Sequence, residues 1–438
     1  MQLRISKDLN THMDANSTTI SRFKMQCNKF SGILSKGFSL PKQKLVKQMI
    51  YGIQASKDVK LSNISRALQE DIPLIKTEDR LSRNLDDVDF TDHMNDIIMR
   101  LGDDKISDDM VIAIDPGDIM KPYAKAMEHL CNIYDGSKHI NAKGYHLCQV
   151  TGANLEHNKL VPLYCQAFSS AEIGYETSTE KITSIISTVV KKIGTKGTWA
   201  IDRQGDNLKI IQHFNTEELQ FITRLKLNRY LHFNNNKNKQ VQAERIPNHV
   251  NFKYKTQLVM LEDGRVKDYE IEYGALTVSI PDDPDKWYTL VVIKGYGKHP
   301  MLLLTNKEVN HHSNKELYNI IQMYLTRWKC DECFRYIKQS YNLEDIRVQS
   351  YTSIRNITVM VHAIAYFSSV YMGMKLKLKI LVQKIFILAK RFFGIPTFYN
   401  YAMADGIYEL LKKTRVGIEN FKGKQGNIDD FQLALFPE

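Results

Sequence analysis

The sequence predicts an α/β protein: a mixed sheet with flanking helices, interrupted by a β-rich insertion and preceded by a helical domain. Three observations predict it. Val111-Ile112-Ala113-Ile114 is a continuous apolar run, as a strand buried on both faces requires, and it ends at Asp115. Ile182, Ile185, Ile186, Val189, Val190 and Ile193 recur at helical spacing, with Gly194 where a C-terminal cap belongs. Thr198-Trp199-Ala200-Ile201 is a further strand directly after that helix, and it ends at Asp202.

The remaining elements fall around these. Short helices are expected in the N-terminal part. One contains Asn63–Leu68 and is broken at Pro73; another opens at Thr77, with Glu78 and Asp79 in its first turn and Leu81 and Leu85 on one face. Its other faces carry Arg80 and Arg83, which fit either a helix-turn-helix facing DNA or the solvated side of a packing helix. Strand-like runs at Tyr145–Thr151 and Leu160–Gln166 lie between the first strand and the long amphipathic helix. A short helix at Asn207–His213 and a strand at Gln220–Leu225 complete a β-β-β-α-β-α-β order. That order is the ribonuclease-H-like arrangement; three strands before the first helix distinguish it from a doubly wound sheet.

Residues 228–298 alternate in a different way, with an Asn/Lys-rich turn at 234–238 and PDDPD at 281–285, and read as a β-rich insertion. The core resumes at Met301–Thr305, and a long helix is expected from about Asn314 to Ser340. The predicted domains are therefore a helical DNA-binding domain (1–105), a split catalytic core (106–227 and 299–374), the insertion (228–298) and a helical C-terminal region (375–438). Asn356 to Met374 is uncharged for 19 residues, but it contains His362 and two serines, and a buried core helix is expected there. The segment beyond it carries KLKLK, Lys384, Lys390 and Arg391 among apolar residues, a pattern for a packed helix with one wet face.

Composition limits the function classes. The chain has 438 residues, 43% hydrophobic and 25% charged, which excludes fibrous and wholly disordered readings. Six cysteines are too few for a disulfide scaffold, and the opening MQLRISKDLNTHMDANS lacks the apolar run of a signal peptide. Both point to a reducing, cytoplasmic setting. The balance of 60 Lys and Arg against 49 Asp and Glu, net +11, favours a polyanion such as nucleic acid.

The chemistry is expected at strand ends. Asp115 and Asp202 leave strands that this order makes neighbours, so their carboxylates converge. Like charges held that close need a cation, and hard oxygen donors select Mg²⁺ or Mn²⁺ over Zn²⁺. Two such ions can activate a water or a 3′-hydroxyl and stabilise the leaving oxygen of a phosphodiester. On the long helix, at about 100° per residue, Tyr324, Arg327, Asp331 and Lys338 share an arc of roughly 60°, while Glu332 lies about 100° from Asp331. Asp118 and Asp206 are nearby decoys, the latter read as the cap of the next helix. Cys330-x-x-Cys333 has no second Cys/His pair at zinc spacing and reads as packing.

The run Y-x2-R-x3-D-x6-K resembles the Tyr–Arg–Glu–Lys signature of insertion-sequence DDE transposases, including the Trp that follows the Arg. IDRQGD at 201–206 and IAIDPGDIMK at 112–121 are similar to the segments that hold that family's second and first acids, in the same order. The resemblance implies a two-metal transposase that cuts double-stranded DNA at terminal inverted repeats and joins the 3′-hydroxyl to target DNA. It further implies a homodimer in a synaptic complex, no membrane, and a place in the bacterial cytoplasm with the nucleoid. Carried over by position, Asp115 would bridge both Mg²⁺ (or Mn²⁺) ions and Asp202 would ligate one. Tyr324, Arg327 and Lys338 would hold phosphates, as would Arg224 in FITRLK. The family has Glu where this chain has Asp331. Asp331 and Glu332 therefore compete for the third catalytic position, and helical phase favours Asp331 as the metal ligand. The rival readings are a relic that binds DNA without cutting it and a structure-selective nuclease of the same fold.

Overall fold

The computed structural model describes residues 2–135, 140–156, 159–233, 236–262, 265–373, 385, 400–412, 414 and 416–419. The chain forms two compact units: Thr91–Tyr336, and Met1–Phe90 together with Ile337–Glu438.

The unit spanning Thr91–Tyr336 is α/β, with twelve strands among its described residues in one open mixed sheet. β1 (Val111–Met120) runs antiparallel to β3 (Ile140–Ala153), and β4 (Leu160–Phe168) runs antiparallel to β3. β5 (Thr198–Ile201) lies parallel to β1 on its other side, and β6 (Gln220–Arg224) parallel to β5. The spatial order β4-β3-β1-β5-β6 places β1 in the middle, and Val111, Ile112, Ala113 and Ile114 are at most 1% exposed. Each such Val or Ile contributes roughly 2 kcal/mol of transfer free energy, so the run is anchored from both faces.

Two features depart from the sequence expectation. A fourth strand precedes the first helix of this region: β2 (Cys131–Asp135) pairs with β3 at Ile140–Gly144. Its signal is short, with Cys131 and Ile133 buried and Asn132 and Tyr134 exposed. In addition, the β-rich segment joins the core sheet through β12 (Met301–Thr305) and β11 (Asp283–Lys294). β12 pairs with β6, β11 with β12, and β10 (Arg265–Ile280) with β11. β7 (Tyr230–Phe233), β8 (Asn236–Gln242) and β9 (Tyr254–Glu262) continue from β10. The insertion thus extends the core sheet past β6.

Helix α5 (Thr91–Gly102) belongs to the same unit; its Asn95 donates to the Cys165 carbonyl and accepts from the Cys165 N–H. Helix α6 (Ser178–Ile193) starts where Thr177 accepts the Glu180 N–H at 3.2 Å and stops where Gly194, at φ 70°, donates to Val190 O. Helix α7 (Leu208–Thr216) is capped by Asn207, whose side chain accepts the Lys209 N–H. Asp206 is therefore not the cap. It is buried, and it accepts from Lys226 N at 2.7 Å and from Arg229 Nε at 2.6 Å, fixing the turn after β6. Truncating it removes the buried acceptor of a partly exposed guanidinium and of a backbone N–H, so Asp206→Ala is expected to lose about 1–3 kcal/mol in urea unfolding, whereas Asp206→Asn retains part of that.

The expected helix over 314–340 is two helices, α8 (Asn314–Thr326) and α9 (Trp328–Tyr341), that meet at Arg327. There the Arg327 N–H reaches back only three residues to Tyr324 O, and the Thr326 hydroxyl donates to Gln322 O.

The second unit, within the described residues, is helical: α1 (Gln2–Leu34), α2 (Leu40–Ser56), α3 (Leu61–Leu68), α4 (Leu74–Asp87), α10 (Tyr351–Ser369) and α11 (Asn400–Lys412). Helix α4 begins at Leu74, not Thr77. Pro73 occupies its N-cap position, and Thr77 is turned inward, donating to Glu70. The uncharged stretch forms most of α10, and Asn356 shows why it is a core helix. Its amide donates to Leu85 O and Val88 O and accepts from Phe90 N, closing the end of α4. Phe30 packs on Phe367 and Tyr371 at ring distances of 5.2 and 5.0 Å. No helix among the described residues is long and apolar enough to cross a membrane. The basic KLKLK run, Lys384, Lys390 and Arg391 lie outside the described residues.

Candidate active site

The site is assembled at the parallel edge between β1 and β5. Ala113 lies opposite Ala200, and continuing that register by two residues sets Asp115 beside Asp202. β1 does not end at Asp115, as the sequence suggested, but runs on to Met120 along β3. β5 does end at Ile201. Asp202 then opens a short turn in which its carboxylate accepts the Gln204 N–H at 2.9 Å, and its carbonyl accepts from the Thr223 hydroxyl. These bonds fix the direction of the second acid.

Helix α9 brings the third. Asp331 lies in its first turn, where the helix dipole favours a carboxylate. The helix packs closely onto β1 and β3 because the contact residues are small. A side-chain carbon at Gly117 would stand 2.8 Å from the Phe334 ring, and Cys333 accepts from Gln149 Nε2 at 3.3 Å. The Cys330/Cys333 pair is buried, and both thiols are free. This close seating lets a carboxylate one methylene shorter than Glu reach Asp115, with which Asp331 shares a hydrogen bond. Glu332 points elsewhere and pairs with Lys329 at 2.9 Å.

Arg327 is the internal counter-ion. Its Nη1 lies 2.9 Å from Asp331 Oδ1 and 3.8 Å from Asp115 Oδ1, with its side chain 8% exposed. Burial pushes the Asp115 carboxyl well above the usual range; the negative charge of Asp331 and Asp202 adds to this, and Arg327 opposes it. Burial also raises Asp331, against the pull of Arg327 and the hydrogen bond from Asp115. Both carboxyls of the pair are thus pushed toward the neutral form. Three carboxyl groups face one guanidinium, and the cluster has an excess of negative charge.

Tyr324 and Arg224 border this cluster. The Arg327 guanidinium sits 5.7 Å from the Tyr324 ring centre. Arg224 lies on β6 next to Arg203, Tyr324 and Arg327; burial and then Arg203 lower its pKa from the normal guanidinium value. Arg203 was not singled out in the sequence, although it stands inside IDRQGD. The other predicted phosphate contacts are placed differently. Lys338 pairs with Glu344 at 2.9 Å. The Arg80 guanidinium is held by Glu70 at 2.7 Å and by Gln48, and Arg83 is exposed on α4. Among the described residues, no group of three or more His, Cys, Asp and Glu side chains is arranged to hold a metal ion. Instead, Arg327 binds the pair that such an ion would share.

No family model matches the sequence, and no curated protein does. Among solved structures, the chain is similar to a cryo-EM structure of a piggyBac transposase synaptic complex with hairpin DNA, at 9% identity and a TM-score of 0.36. The alignment covers 84% of this chain and 62% of that one, so the chain spans less than two thirds of that neighbour's length.

Proposed function

We propose that this chain is a DNA transposase with a ribonuclease-H-like core, acting by divalent-cation-dependent phosphodiester cleavage and strand transfer. The observation that carries the reading is the meeting of Asp115, Asp202 and Asp331, from three distant segments, at one sheet edge beside Arg327, Arg224 and Tyr324. The donor type suits Mg²⁺ or Mn²⁺: the three groups are carboxylates, all oxygen donors, and Arg327 holds two of them in place of a cation. When bound, a pair of such ions supplies an activated water or 3′-hydroxyl and stabilises the departing oxygen. To serve as a ligand Asp115 must be ionised, against the burial that raises its pKa. Arg224 and Arg203 provide cationic contacts for phosphate oxygens next to the acids, and Tyr324 adds a hydroxyl. Two copies of the chain would pair two element ends in a synaptic complex.

The test is Mg²⁺-dependent nicking of DNA that carries the inverted repeats flanking the gene. Nicking at the repeat ends, absent with EDTA, is expected. Binding without nicking would identify a relic. Cutting that is indifferent to the repeat sequence would identify a structure-selective nuclease.

A further inference from the structure

A second cluster lies beyond Asp115 on the same strand and uses none of the residues above. Asp118 on β1 and His146 on β3 are register partners, and His146 Nδ1 lies 3.1 Å from Asp118 Oδ1. Cys131, the first residue of β2, lies opposite Gly144, two residues before His146 on β3, so its side chain is a diagonal neighbour of the imidazole on the same face of the sheet. His146 is further fixed by Phe168, whose ring centre is 5.3 Å away. A carboxylate orients an imidazole, and the imidazole neighbours a thiol. The side-chain order is that of an activated cysteine nucleophile.

We propose that Cys131, His146 and Asp118 form a thiolate–imidazolium–carboxylate site at which Cys131 reacts with small electrophiles, hydrogen peroxide above all. As a thiol, Cys131 donates to Gly144 O at 3.2 Å; as a thiolate, it is stabilised by the adjacent imidazolium of His146. Attack forms an S–O bond as the peroxide O–O bond breaks. Sulfur is oxidised by two electrons to the sulfenic acid level, and peroxide is reduced. The departing hydroxide takes the imidazolium proton and leaves as water, so His146 ends neutral. Electrostatics supports the geometry. Burial raises the Cys131 thiol, but the hydrogen bonds from His146, Ser169 and Ser170 outweigh it and bring the pKa to about 6. His146 is raised to about 9, chiefly by Asp118 and then by Cys131. Burial pushes the other five cysteines upward instead. This site does not depend on the transposase reading.

The experiment is peroxide treatment of the full-length native protein at pH 7 with dimedone present, followed by site-resolved mass spectrometry; a parallel sample receives iodoacetamide. Cys131 is 5% exposed, which small reagents of this kind suit. Cys131 is expected to label at least about tenfold faster than the other cysteines, because the His146–Asp118 pair beside it favours the thiolate. His146→Gln is expected to remove most of that advantage, and Asp118→Asn part of it. The same reagents on urea-unfolded protein should level the six. Equal labelling of all native cysteines, or Cys131 labelling unchanged in both His146→Gln and Asp118→Asn, would overturn the proposal. Should His146→Gln fail to fold, the Asp118→Asn result and the native-to-unfolded ratio decide it.

Discussion

Asp115→Asn is expected to abolish Mg²⁺-dependent DNA nicking, by about a thousandfold or more, while making the folded protein more stable at neutral pH. The two effects share one cause. Asp115 is buried among carboxylates, and its folded-state pKa lies above its unfolded value. Between the unfolded pKa, near 4, and the raised folded value, the native chain binds more protons than the unfolded chain. Stability therefore falls as pH rises through that window. Asparagine keeps the size and a hydrogen bond to Asp331 and carries no charge, so this pH slope should be reduced in the variant. A melting temperature about 2–5 °C higher than wild type at pH 8, with little difference at pH 4, is the expected pattern. A variant that retained nicking would remove Asp115 from the chemistry. One that lost stability at pH 8 would contradict the electrostatic account.

Arg327→Ala is expected to have the opposite effect on stability. The guanidinium is the cation that the Asp115–Asp331 pair contacts directly, and the group is nearly fully buried. Removing one partner of such a set leaves uncompensated buried charge, typically costing about 3–5 kcal/mol. In urea unfolding this is a large loss, and Arg327→Lys should recover only part of it, because one ammonium cannot reproduce the fork. A double-mutant cycle separates this from lost packing. Arg327→Ala combined with Asp331→Asn should cost clearly less than the sum of the two changes made singly. Strict additivity would mean that the pair is not coupled.

Much of the fold is legible because its core strands are buried on both faces. The Val111–Ile114 run, the apolar stripe of α6 and the Thr198–Ile201 strand need no tertiary information to be recognised. β2 is missed because two buried residues in a five-residue strand give too short an alternation. The break at Arg327 leaves no mark in helical periodicity, since it follows from local hydrogen bonding at Thr326 and Arg327. Asp206 is misassigned because Asp and Asn are adjacent, and only the Arg229 contact shows which of them caps α7. In the site, Asp202 can be argued from the end of β5 and Asp331 from helical phase, whereas Asp115 lies inside β1, which runs on to Met120. The bridging role of Arg327 and the close seating allowed by Gly117 cannot be argued in that way, because both are contacts between segments. The Cys131–His146–Asp118 cluster is invisible for the same reason: three common residues from three strands, joined only by register.

The central claim is that the three carboxylates together take up catalytic divalent cations. It is tested most directly by Mn²⁺ titration of the full-length protein, followed by electron paramagnetic resonance, for wild type and for Asp202→Asn. Asp202→Asn is the suitable variant because asparagine can still accept the Gln204 N–H and keep the turn. Wild type is expected to bind Mn²⁺, up to two ions per chain, and Asp202→Asn to lose at least one of them with its melting temperature unchanged within a few degrees. Mn²⁺ binding that is absent in wild type, or identical in the two proteins, would contradict the account.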